Sequence, residues 1–343
     1  MHDHNSPTPA NAVAPLQARR VPVTFVVPCH NESGVVEETA RQLLGLLDTQ
    51  VSAGQCSEAS QVLFVDDGST DSTWAQIEQL AASNPGRISG LRLARNVGHQ
   101  HALLAGLTLA PGEVLISLDA DLQDDINVVP RMLELYRQGH DIVYGIRSGR
   151  GTDTAFKRLT AAGFYRLMRR LGVDIIYNHA DYRLMSRRAV AMLEQFGEVN
   201  LFLRGVVRLI GLPSAQVTYQ RRQRLAGESK YGLLQMCALA IQGITSFSIA
   251  PLRLISGLGL LTALFAMGVG VWVLIVRLIW ERAIPGWASI VLPVAILGGM
   301  QLLAIGVLGE YVGKIYLETK RRPRFLVDRT VGAVAIEAVR ERR

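Results

Sequence analysis

From residue 21 to about residue 150 the chain alternates short apolar runs with longer stretches of helical periodicity. Residues 21–28 (VPVTFVVP), 62–65, 88–93, 114–118 (VLISL) and 141–145 are β-rich runs of strand length. Between them, residues 34–47, 72–82, 101–109 and 128–137 carry apolar positions at helical spacing. Continuous apolar strands are buried on both faces, as in a parallel sheet. The alternation predicts an α/β fold with a doubly wound, mostly parallel sheet.

The pattern changes past residue 232. Residues 233–249 are uncharged but hold Gln235, Gln242, Thr245 and Ser246, which suits an interfacial helix interrupted near Pro251. Residues 254–276 and 287–308 are each long enough to cross the roughly 30 Å hydrocarbon core as a helix. Pro293 is tolerated inside the second. Lys314, Lys320, Arg321, Arg322 and Arg324 form a positive flank that predicts a cytoplasmic C-terminus, and two spans return the first domain to the same side. The expected organisation is a polar, disordered tail over 1–20, a cytosolic domain over 21–231 and interfacial helices over 232–252. Two transmembrane helices over 253–312 and a basic cytosolic tail over 313–343 complete it. The first twenty residues lack the apolar run of a secretory signal.

Charge and cysteine content narrow the partners. A net charge of +7 and a pI near 9.6 suit nucleic acid, an anionic membrane or phosphorylated substrates, and the apolar stretches favour the last two over nucleic acid. Cys29, Cys56 and Cys237 lack metal-ligand spacing and read as reduced thiols. No Gly-x-Gly-x-x-Gly follows the first strand, and no P-loop signature is present.

The candidate chemistry gathers just past strand ends. His30 and Glu32 follow the first strand, Asp67 the second, and Asp119, Asp121 and Gln123 the strand at 114–118. Ligands of open α/β sheets collect at such ends. Two carboxylates one residue apart repel unless donors or a cation lie between them, and a hard divalent ion bridging a diphosphate answers that need. The competing reading is a solvated turn or a helix cap at each loop. Residues 157–171 are basic and amphipathic, suited either to lipid phosphates or to a solvated helix face. Residues 221–231 (RRQRLAGESKY) combine three arginines, a glycine and Ser-Lys. Arg222, Arg224, Ser229 and Lys230 there suit closure over a pyrophosphate or contact with anionic headgroups.

Four motifs, Val27-Pro-Cys-His-Asn-Glu32, Val65-Asp-Asp-Gly-Ser-Thr-Asp71, Arg95-Asn-Val-Gly98 and Asp119-Ala-Asp-Leu-Gln123, occur in the order and rough spacing of family 2 glycosyltransferases. The chain resembles their polyprenyl-phosphate branch over residues 21–325. That branch includes dolichol-phosphate mannose synthases and bactoprenol-phosphate glucosyltransferases. The resemblance implies a GT-A-like domain in which Pro28, His30 and Glu32 line the base and ribose pocket, where the family often has Tyr at position 30. It implies that Asp67 meets the base, that Asp119 and Ala120 face ribose and diphosphate, and that Arg147 approaches the nucleotide or its phosphates. Asp121 and Gln123, with Asp119, would hold Mg²⁺ or Mn²⁺. In the segment Asn178-His-Ala-Asp-Tyr-Arg183, His179 stands where relatives have small residues, Asp181 matches the catalytic base and Arg183 a phosphate ligand; an N-cap or simple Asp181–Arg183 ion pair is the alternative. The implied reaction is inverting transfer of a hexose from a nucleotide sugar, UDP-glucose foremost, to undecaprenyl phosphate. The implied setting is a multi-pass protein of the bacterial inner membrane, its catalytic domain cytoplasmic, assembled as a homo-tetramer. A processive polysaccharide synthase is a second class, but its Gln-x-x-Arg-Trp acceptor motif is missing. A non-catalytic nucleotide-sugar-binding membrane protein is the third.

Overall fold

In the computed structural model, residues 19–148, 179–198, 203–220, 250–279 and 288–332 are described. Four strands, β1 (Val23–Cys29), β2 (Gln61–Asp66), β3 (Ile88–Leu93) and β4 (Val114–Ser117), run parallel in the spatial order β4-β1-β2-β3. They match the apolar runs of the sequence to within a few residues. Four more strands widen the sheet: β5 (Ile142–Arg147), β6 (His179–Ser186), β7 (Ser214–Tyr219) and β8 (Val327–Val331), giving the order β7-β5-β6-β4-β1-β2-β3-β8. The expected mostly parallel sheet is therefore mixed. β6 runs antiparallel between β4 and β5, and β8 lies antiparallel on β3.

Alternate residues of the central strands feed two cores, as the pleat requires. Phe25, Val27, Val62 and Phe64 pack with α1 (Val36–Ser52), α2 (Thr73–Ser83) and α4 (Val129–Arg137). Val26, Leu63 and Val65 pack on the opposite face with α3 (His99–Leu109), α5 (Arg187–Glu194) and α6 (Leu203–Leu209). Helix α3 approaches the sheet closely. A Cβ on Gly106 would lie 2.7 Å from Val65 Cγ2 and closer still to Val26.

Two long helices follow, α7 (Ala250–Ile279) and α8 (Ala288–Thr319), with Leu260, Leu261, Phe265, Ile290, Leu302 and Ile305 among their exposed apolar side chains. Among the described residues, one stretch is long and apolar enough to cross a membrane: 24 residues, Ile296–Thr319, with mean hydropathy 1.4 and no burial inside the protein. It overlaps the expected span over 287–308, and α8 continues past that span to Thr319. The expected span over 254–276 falls within α7. Past α8 the chain returns to the domain. Leu326 O accepts from Ala94 N at 2.9 Å, Phe325 and Val327 join the α3-side core, and β8 covers the edge of β3.

Candidate active site

The site begins where β1 and β4 part. Their ladder reaches only Val26–Ser117, after which Leu118 N donates to Val26 O at 3.2 Å and β4 turns away. Strand β1 continues alone beside β2 as far as Cys29–Asp66. Residues alternate sides along a strand, so Pro28 has the parity of Val26 and faces the side that β4 has left. Its missing N–H therefore leaves no ladder bond unmade. The gap is the switch point at which connections diverge to opposite faces, the usual ligand crevice of such sheets.

On one side of the gap the loops after β1 and β2 are stitched together. Asn31, at a left-handed φ of 55°, accepts from Thr70 N through Oδ1 at 2.9 Å, while its own N–H donates to Ser69 Oγ at 2.9 Å. Glu32 N donates to Thr73 Oγ1 at 2.9 Å. His30 is exposed. Its Nδ1 lies 2.9 Å from the Asp67 carbonyl, which can only accept, so Nδ1 carries the proton and Nε2 accepts from Asn96 Nδ2 at 2.9 Å. Asp67 is buried, and both of its carboxylate oxygens are engaged, by Val97 N at 2.8 Å and Gly98 N at 2.9 Å. It thus shapes the Arg95–Gly98 turn beneath His30.

The acidic loop forms the other side. Thr39 Oγ1 donates to Ala120 O at 2.6 Å, Leu122 takes a left-handed φ of 47°, and Gln123 N donates to Asp121 Oδ1 at 3.3 Å. Asp119 and Asp121 are half-buried, Ala120 and Gln123 buried. Asp124 ends the loop in the interior. Its Oδ1 accepts from Arg147 Nη2 at 3.1 Å and Tyr219 OH at 2.5 Å. Arg147 therefore points at the protein's own carboxylate.

Strand β6 completes the site. Running antiparallel to β4 with Ser117 opposite Arg183, it sets its amino end beside the carboxyl end of β4, and Ser117 Oγ donates to Asp181 O at 2.6 Å. His99 Nε2, at the start of α3, lies 3.6 Å from both Asp119 Oδ1 and Asp181 Oδ2. Arg183 Nη2 lies 2.5 Å from Asp181 Oδ1, and Arg204 Nη2, on α6, lies 3.1 Å from Asp181 Oδ2. The side chain of Arg183 is 1% exposed and that of Arg204 39%. The expected phosphate ligand Arg183 is thus sealed in the core, its Nη1 reaching Leu203 O of α6 at 3.5 Å, and Arg204 is the cation at the rim. Arg222, Arg224, Ser229 and Lys230 lie outside the described residues, as do residues 157–171 and 233–249.

The carboxylates are driven apart. Burial would raise Asp181, but His99 beside it, then Arg204 and Arg183, outweigh that and hold the group well below the usual carboxylate range. Burial raises Asp119, with His99 opposing and Asp124, Asp181 and Asp121 pushing further up. His99 is raised: burial opposes its charge, and the adjacent carboxylates of Asp181 and Asp119 prevail. His99, Arg204, Asp124 and Tyr219 were not distinguished by sequence pattern. Arg95-Asn-Val-Gly98 placed His99 in a loop, whereas α3 begins at His99 itself.

Among the described residues, no group of three or more His, Cys, Asp or Glu side chains is arranged to hold a metal ion unaided. A Mg²⁺-type ion commonly takes one or two carboxylates and completes its shell with substrate phosphates and water. Asp119 and Asp121 fit that share, being hard oxygen donors at the rim.

Residues 24–193 match the family described as "Glycosyl transferase family 2". The chain is 49% identical to the "uncharacterized glycosyltransferase YkoT" of Bacillus subtilis over 89% of its own length and 91% of that protein. It is 39% identical to the "bactoprenol glucosyl transferase" of Shigella phage SfX, covering 89% of this chain and 98% of the phage protein. Among solved structures, glucosyl-3-phosphoglycerate synthase of Mycobacterium tuberculosis, in complex with Mn²⁺, uridine-diphosphate and phosphoglyceric acid, matches with a TM-score of 0.43. That match has 21% identity over 67% of this chain and 78% of that one. With near full-length relatives at these identities and strand-end acids at the switch point, the chain belongs to glycosyl transferase family 2 and is a glycosyltransferase.

Proposed function

We propose that this enzyme transfers a hexose, glucose from UDP-glucose, to the phosphate of undecaprenyl phosphate at the cytosolic membrane face, with inversion. The observation that carries the reading is the antiparallel β6, which sets Asp181 across His99 from Asp119 at the mouth of the crevice. Two further features support a lipid acceptor: exposed apolar faces on α7 and α8, and a near full-length match, at 39% identity, to a protein named bactoprenol glucosyl transferase.

In this reading the nucleotide lies in the gap, its base and ribose near His30 and Glu32, its diphosphate over the acidic loop. Asp67 acts from below by holding the turn that carries Asn96 against His30. Asp119 and Asp121, with Gln123 beside them, would hold a divalent ion, which would offset charge on the departing diphosphate. A carboxylate held far below its usual range is a weak base, so Asp181 is suited to orientation. A phosphate whose second pKa is about 6 is already mostly dianionic at neutral pH and needs no base. Asp181 therefore aims Arg204 and His99 at the acceptor, and Arg204 meets its phosphate through a charge-assisted contact. An acceptor oxygen forms a bond to the anomeric carbon as the bond to the nucleoside diphosphate breaks. Single displacement yields a β-linked sugar from an α-linked donor. Arg222, Arg224, Ser229 and Lys230 supply further phosphate contacts.

The test is incubation of the purified protein with radiolabelled UDP-glucose, Mg²⁺ and undecaprenyl phosphate, with UDP-GlcNAc and GDP-mannose in parallel. Labelled lipid from UDP-glucose is expected. The absence of labelled lipid from all three donors defeats the proposal, and labelling from another donor alone replaces glucose in it. Asp121→Ala is expected to lose about a hundredfold or more in rate without unfolding, as for removal of a main electrostatic contributor.

A further inference from the structure

We propose that Asp124, Arg147 and Tyr219 are positioning residues that hold the acidic loop in its donor-binding shape, so that Arg147 serves the loop and not the nucleotide. The inference rests on reading the crevice as the nucleotide-sugar site.

The loop is anchored at both ends. At one end Thr39 Oγ1 holds the carbonyl of Ala120 at 2.6 Å. At the other, Asp124 Oδ1 draws Arg147 Nε at 3.3 Å, Arg147 Nη2 at 3.1 Å and Tyr219 OH at 2.5 Å. Between the anchors lies Leu122 at φ 47°, a conformation a bulky residue keeps only when its surroundings over-determine it. Asp121 sits next to that strained residue and Asp119 three before it.

The second anchor is itself fixed from three strands. Ser148 N and Oγ both donate to Tyr219 O, at 2.7 and 2.8 Å, tying the end of β5 to the end of β7. Tyr219 meets Tyr182 of β6 edge-on at 5.4 Å, and Tyr182 OH donates to Asp125 O at 3.2 Å. At Gly145 a Cβ would come within 2.7 Å of Tyr182 and 3.1 Å of Tyr219, so the aromatic pair has no slack.

The chemistry is costly for a merely structural device. Asp124 is 3% exposed, and its Oδ2 is buried with no hydrogen-bond partner among the described residues, while three donor contacts converge on Oδ1. A buried ion pair seldom adds net stability over an apolar replacement; what it supplies is a defined geometry. Tyr219 remains a donor throughout the working pH range, since burial and then the Asp124 carboxylate push its hydroxyl up.

Tyr219→Phe removes one bond and keeps the ring. Calorimetric titration of the full-length protein in detergent with UDP plus Mn²⁺ is expected to show about tenfold weaker binding, the equivalent of one charged hydrogen bond, at a nearly unchanged melting temperature. KM for UDP-glucose should rise while KM for undecaprenyl phosphate stays put. Arg147→Lys, which cannot reproduce the fork, should give the same donor-selective loss. Equal UDP–Mn²⁺ affinity in wild type and Tyr219→Phe overturns the inference, as does a loss that tracks the unfolded fraction. A loss confined to Arg147→Lys places Arg147 on the nucleotide and overturns it too. Wild type that binds no UDP in the presence of Mn²⁺ removes the donor-site reading itself and this inference with it.

Discussion

At the residue scale the site turns on which charges are buried and which reach the rim. Arg183 and Arg204 both hold Asp181, but only Arg204 has solvent access. Arg183→Met should cost about 3–5 kcal/mol in urea unfolding, because it strands a buried carboxylate with one fewer partner. Arg204→Ala also takes a partner from Asp181, but at a 39%-exposed position that water can reach, so it should cost clearly less than Arg183→Met while lowering turnover about a hundredfold. Similar unfolding midpoints for the two variants would refute the distinction. A second residue prediction concerns Asp71, where burial alone would raise the carboxyl. Hydrogen bonds from Thr73 and Ser33 outweigh it and bring the pKa down to about 2. The folded value is below the unfolded one, so this stabilisation is present above about pH 4 and disappears as pH falls toward 2. Asp71→Asn should therefore flatten the loss of stability across that window; an unchanged acid-unfolding profile would contradict it.

At the scale of elements, close approach of helix to sheet sets where His99 sits. Gly106 lies one α3 face away from Val26 and Val65 with no room for a Cβ. Gly106→Ala should destabilise the domain by about 1–3 kcal/mol through overpacking, and should weaken catalysis by shifting the start of α3. A variant as stable and as active as wild type would show that α3 tolerates a shift. The direction of β6 matters as much. Had it run parallel to β4, Asp181 would lie at the opposite end of the sheet from Asp119.

At the scale of the whole molecule, the chain after α8 closes back on the domain. Arg324 donates to Phe196 O, and Glu198 is raised, first by burial and then by Glu318 near the end of α8. Strand β8 covers an edge that would otherwise offer unpaired backbone groups. Truncation after residue 319 should lower the melting temperature and broaden the size-exclusion peak toward aggregates. A monodisperse truncation of wild-type stability would mean that β8 contributes nothing to edge protection. The Ile296–Thr319 stretch, apolar and with none of it buried inside the protein, should keep the protein in the membrane fraction through an alkaline wash, and release by that wash would contradict a spanning role.

The central strands, their helices and the strand-end acids were legible because each is written in local pattern. Runs such as VLISL report burial on both faces, and Asp119, Asp121, His30 and Asp67 stand just past runs of that kind. The segment around Asp181 was legible as a motif but not as a strand, and β7 and β8 were not foreseen, since half-exposed strands carry a weak period. Nothing in the order of residues states that β6 pairs antiparallel with β4, that Arg183 is sealed while Arg204 is open, or that Arg147 turns to Asp124. By itself the sequence determined the class of fold, the place of the acids and the apolar helices, because periodicity and strand-end chemistry depend on neighbours along the chain. Only the tertiary structure decided which charges meet, because strand partners and burial join residues far apart along the chain, as Asp124 and Arg147 are by 23 positions and Ser117 and Asp181 by 64.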